Sequence, residues 1–119
     1  MTVRDIKNLL SCETLWGEEL LDRKVHTACG ADMMSDVLAF VKDQSVLITG
    51  LVNLQTVRTA MMMDIVCIVF VRGKVPAKEV IDLAADNDII ILSTSQLMFE
   101  SCGKLYGAGL SGGKHKNES

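Results

Sequence analysis

Apolar positions along this chain follow two patterns in turn, short unbroken runs and stripes of helical period. Val46-Leu47-Ile48-Thr49 is one run, and it breaks at Gly50. A helical segment follows, and then a longer run from Ile65 to Val71. Pro76 to Asp86 is helical in period, Ile89 to Leu92 is a third run, and Ser95 to Tyr106 is helical again. Strands read as unbroken apolar runs when helices cover both faces of their sheet, as parallel strands require. The pattern therefore predicts an α/β fold with a mostly parallel central sheet flanked by helices. Right-handed crossovers should distribute the helices over both faces.

The first forty residues are read on the same terms. Thr2 can cap an opening helix, with Asp5 completing a capping box and Val3, Ile6, Leu9 and Leu10 forming its apolar face. That helix should fade near Ser11. Glu13 to Asp22 looks like a short strand around Leu15 running into a turn, and Lys24 to Cys29 like another strand. Both should extend or edge the sheet. A helix opening at Gly30-Ala31-Asp32 has Met34, Val37, Leu38 and Val41 on its core stripe, leaving Asp36 and Lys42 to water.

In the central helical segment Asn53 is a cap, Leu54, Val57, Ala60 and Met61 the buried face, and Gln55, Arg58 and Thr59 the wet one. Pro76 suits the first position of the next helix, where its missing N–H costs nothing. Ala77, Val80, Ile81 and Ala84 make that helix's inner face, and Asn87 can close it in a left-handed cap. Leu97, Met98, Ser101, Cys102 and Leu105 share a face of the last helix, with Gly103 an unfavourable interior residue. One domain over residues 1–107 and a flexible tail over 108–119 are expected.

Composition narrows the classes of function. A net charge of -3 argues against a phosphate-driven nucleic-acid binder. No apolar run approaches the roughly 20 residues that span a bilayer. Arg4, Asp5 and Lys7 stand where a signal peptide would need an apolar stretch, so a cytoplasmic protein is expected. Cys12, Cys29, Cys67 and Cys102 form no C-x-x-C, which predicts free thiols and no metal.

In open α/β sheets ligands bind beyond the carboxyl ends of the strands. The candidate ligand residues are therefore Thr49, Gly50, Asn53, Arg72, Gly73, Ser93, Thr94 and Ser95. Hydroxyls and a helix N-terminus near Ser95, with Arg72 alongside, suit an anion. The bland alternative is that Thr94 or Ser95 caps a helix and Arg72 is a solvated turn residue. No P-loop pattern is present. His26 and Cys29, three apart on a strand, point to opposite faces and make a poor catalytic pair. Of the seven methionines, Met33, Met62 and Met63 fall off the core stripes, which predicts a homodimer with part of that surplus in its interface.

The order of segments resembles the DRTGG domain family, a small α/β module related in fold to the N-terminal domain of HPr kinase/phosphorylase. The resemblance rests on Trp16-Gly17-Glu18-Glu19-Leu20-Leu21-Asp22-Arg23-Lys24-Val25, Met33-Met34-Ser35-Asp36-Val37 and Ser45-Val46-Leu47-Ile48-Thr49, then on Val75-Pro76 and Ile91-Leu92-Ser93-Thr94. Where the family tends to carry Asp-Arg, this chain has Val52-Asn53. Where it tends to carry Thr-Gly-Gly, this chain has Val71-Arg72-Gly73. The resemblance implies a regulatory or assembly module with no cofactor. The leading expectation is a non-catalytic, homodimeric regulatory module sensing a small anionic metabolite or nucleotide. The alternatives are a protein-interaction scaffold without a ligand and, third, a small enzyme.

Overall fold

The computed structural model describes residues 1–39 and 42–113. Five strands form one sheet in the order β1-β5-β4-β3-β2, with β1 Glu13–Trp16, β2 Thr27–Gly30, β3 Ser45–Thr49, β4 Ile65–Phe70 and β5 Ile90–Ser93. Four of them are parallel, and β1 runs antiparallel along β5. The α/β expectation holds, and the two N-terminal strands are the two edges. β2 is shorter than expected: Lys24 leaves it to bridge Thr2, and the strand opens at Thr27.

Two helices, α1 (Val3–Leu10) and α5 (Met98–Gly107), cover one face, where Val46, Ile48, Val69 and Leu92 point. The other face, with Leu47, Ile68, Phe70 and Ile91, is covered by α2 (Met34–Leu38), α3 (Leu54–Met62) and α4 (Lys78–Asp86). Every residue of β3, β4 and β5 is buried, as a doubly covered sheet requires. Val66 is the extra residue of a bulge against β3, so Val66 and Cys67 face the same side.

Local chemistry explains the helix ends. Thr2 and Asp5 form the expected capping box, and Ser11 closes α1 in a left-handed conformation (φ 55°). Leu9, however, sits at the margin of exposure and is not core. The helix after β2 begins at Met34, later than Gly30-Ala31-Asp32 suggested, and Val41 lies outside the described residues. Lys42 is buried, against the expectation that it faces water.

In α3 the cap is Asn53, but the buried face is Thr56, Val57, Thr59 and Ala60. Thr59 was expected in water and Met61 in the core; both are reversed. Pro76 is buried two residues ahead of α4, whose cap is Ala77. Asp88, not Asn87, takes the left-handed conformation after α4 (φ 56°). The segment expected to be a free tail starts differently: Leu110 is buried in the core, and Ser111 bridges Thr27 on the open edge of β2. Among the described residues no helix is long and apolar enough to cross a membrane.

Candidate functional site at the carboxyl ends of the strands

Four parallel strands must end on one edge, so the loops after β2, β3, β4 and β5 meet there. Asp32, two residues past β2, reaches across to the end of β3. Its Oδ1 accepts from Thr49 Oγ1 at 3.1 Å and from the Gly50 amide at 2.7 Å. Thr49 Oγ1 in turn accepts from the Leu51 amide at 3.1 Å. A carboxylate of the chain itself therefore takes the amide that a bound anion would otherwise find free.

Arg72 and Gly73 follow β4 in consecutive left-handed conformations, φ 60° and 68°. Gly tolerates that geometry, whereas a branched side chain strains it. The turn is held by the next loop: Arg72 N donates to Gln96 O at 2.9 Å and Gly73 N to Thr94 O at 2.8 Å. It sends the Arg72 side chain back over β3, against the backbone of Gly50. Arg72 has no ion-pair partner among the described residues.

The loop after β5 is tied to α1. Thr94 Oγ1 donates to Leu10 O at 2.7 Å, and Gln96 Nε2 donates to the same oxygen at 3.2 Å. Leu10 lies in the last turn of α1, where carbonyls lack intrahelical partners, so these donors serve as a remote cap.

Of the eight residues expected to bind a ligand, the fold brings Thr49, Gly50, Arg72, Gly73 and Thr94 together. Asn53 spends its side chain on the Thr56 amide, at 3.3 Å. It lines a separate cavity of about 410 Å³ with Arg58 and Glu79, between the starts of α3 and α4. Ser93 Oγ donates to Lys74 O at 2.9 Å, and Ser95 is exposed. The helix thought to open near Ser95 opens at Met98 instead, with Leu97 at its cap, so its positive end lies further along the chain. Asp32 escaped the sequence reading. Its signal was position, directly beyond an edge strand, and it becomes visible once β2 is known to be parallel.

Among the described residues, no nucleophile at the rim is paired with a base. His26 Nδ1 faces Asp43 Oδ2 at 3.3 Å, on the opposite edge of the sheet. All four cysteines are free. Burial pushes the Cys12 thiol up to about 12 and Cys67 well above its ordinary value. Burial also raises Cys29 and Cys102. Thiols held protonated are poor nucleophiles. Among the described residues no three His, Cys, Asp or Glu side chains are grouped to hold a metal. Of the methionines expected at an interface, Met33 and Met62 are exposed, while Met63 is half-buried against the protein's own core.

A four-stranded parallel array edged by one antiparallel strand, with its loops gathered at one rim, defines a small open-sheet α/β domain. The family model of the DRTGG domain matches residues 5–106, and the chain belongs to the DRTGG domain family. A solved structure with the same fold is "Crystal structure of the CBS and DRTGG domains of the regulatory region of Clostridium perfringens pyrophosphatase complexed with activator, diadenosine tetraphosphate". The match has a TM-score of 0.67 at 21% identity and covers 87% of this chain and 45% of that one. This chain thus spans less than half the length of that neighbour. Among curated proteins none matches.

Proposed function

We propose that this domain is a non-catalytic regulatory module, cytoplasmic and homodimeric, that senses a small anionic metabolite or nucleotide at the rim of its sheet. The observation that carries the reading is the Arg72 guanidinium, free of any ion pair among the described residues and laid over the Gly50 backbone where four strand ends converge. A forked, planar cation beside backbone amides suits a phosphate or carboxylate. Its support from relatives is that the solved neighbour is a regulatory region complexed with a nucleotide activator.

Asp32 shapes what such a site accepts. Its carboxylate already satisfies the Gly50 amide, so an incoming anion has to pair with Arg72 from the solvent side or displace Asp32. Either route favours a ligand with more than one negative group. The test is a thermal-shift screen against nucleotides and phosphorylated metabolites, since a ligand that binds only the native state raises Tm. A hit should be abolished by Arg72→Ala. Absence of any shift across the screen favours the ligand-free scaffold.

A further inference from the structure

Two donors at the end of β3 converge on a single point. Thr49 Oγ1 and the Gly50 amide both give their hydrogens to Asp32 Oδ1, at 3.1 and 2.7 Å. Thr49 already accepts from the Leu51 amide, so what it offers here is its hydrogen. Thr49 and Gly50 are buried, whereas Asp32 is exposed, so the carboxylate comes to both donors from the solvent side. Arg72 stands on the same glycine, its Nη2 2.5 Å from where a Cβ would be. Yet among the described residues no ion pair joins Asp32 to Arg72. An anion and a cation flank one glycine without closing on each other.

We infer that Asp32 is a tethered competitor: its carboxylate fills the seat of a ligand oxygen, and binding turns it out into water. The rim then has a closed form, held by Asp32, and an open form, held by the ligand. The inference rests on the anion-sensing reading above and adds how that site is regulated.

Electrostatics favours replacement over addition. An anion drawn to Arg72 while Asp32 stayed in place would face the carboxylate across Gly50, like charge against like. Replacing it gives the same anion two buried donors and the guanidinium together. The swing also disturbs little else. Ala31 stays anchored by its amide bond to Ile48 O at 3.1 Å and Met34 by burial, while Asp32 and Met33 between them are exposed. Only a side chain has to turn. Because the seat offers donors, it takes a phosphate or carboxylate and refuses a cationic group. A resident carboxylate competes at a high effective concentration, which sets the rim to answer an abundant ligand rather than a scarce one.

Nuclear magnetic resonance titration of the whole chain with inorganic phosphate tests it, read at the Gly50 amide and the Asp32 carboxyl carbon. In the unaltered protein both signals should move in step. Asp32→Ala should bind phosphate about ten-fold more tightly, the worth of a freed donor facing a charge. Asp32→Asn loses the charge but keeps an acceptor oxygen, so it should fall between the two. Adding Arg72→Ala to Asp32→Ala should remove the gain. Equal affinity in Asp32→Ala and Asp32→Asn, or no gain in either, overturns the competitor while Arg72-dependent binding keeps the rim reading. An Asp32 carboxyl carbon that stays still at saturation also overturns it, which decides the matter even if Asp32→Ala folds poorly. No shift at the rim in any variant overturns both readings.

Discussion

The Arg72 guanidinium rests so closely on Gly50 that a Cβ added to that glycine would stand 2.5 Å from Nη2. The obstacle is the free end of a flexible side chain, so it can move aside. Gly50→Ala should therefore cost less than about 1 kcal/mol of stability. It should nevertheless weaken anion binding nearly as much as Arg72→Ala. Urea denaturation and ligand titration on the same samples check both halves.

Leu110 belongs to the core although it lies beyond the last helix. Replacing it with Ala should destabilise the domain by about 2–3 kcal/mol, towards the low end of what truncating a buried leucine costs. A chain ending at residue 107 should lose at least as much. Equilibrium unfolding reads both, and a loss within error of zero would mean that the segment beyond α5 contributes no packing.

Asp88 holds a left-handed backbone that glycine adopts without strain. Asp88→Gly should raise stability by about 0.5–1 kcal/mol, while Asn87→Gly, at an ordinary φ of -116°, should not. Paired thermal melts of the two variants separate these outcomes. The Arg23 bond to Asp88 O is made to backbone and survives the change.

Alkali should unfold the protein through its thiols. Burial raises Cys12 in the folded state from 9.0 to about 12. A raised thiol pKa means the unfolded chain ionises first, so stability is full below about pH 9 and falls as pH climbs towards about 12. Cys67, wholly buried, acts in the same direction. Denaturation midpoints measured across that window should slope downward, and Cys12→Ala should flatten the slope.

The fold was legible because strand runs such as Ile65–Val71 and caps such as Thr2 and Asn53 are local signals. What was hidden depended on distant neighbours. Thr59 reads as a wet residue, yet it is buried, its hydroxyl without a hydrogen-bond partner among the described residues, because α3 is rotated about its axis by what it packs against. That same rotation exposes Met61, which hydrophobicity alone assigns to the core. The strand ends were placed correctly because topology dictates them. Asp32 was missed because its partners, Thr49 and Gly50, lie seventeen and eighteen positions away. Leu110 was missed because a glycine-rich stretch with one apolar residue has no period to read.

The contacts at the rim run as an open series from α1 to the loop after β2. Leu10 O holds Thr94 and Gln96, whose own carbonyls hold Gly73 and Arg72, and Arg72 lies on Gly50, which Asp32 clasps. The guanidinium can swing off Gly50 without breaking a bond. A guest that shifts the Arg72 backbone, however, strains the bonds from Arg72 and Gly73 to Gln96 and Thr94, which cannot part without leaving a polar group unpaired. One end of the series is α1, whose Leu10 carbonyl is the anchor. The mechanical output of an event at the strand ends would therefore be felt as a shift of the first helix.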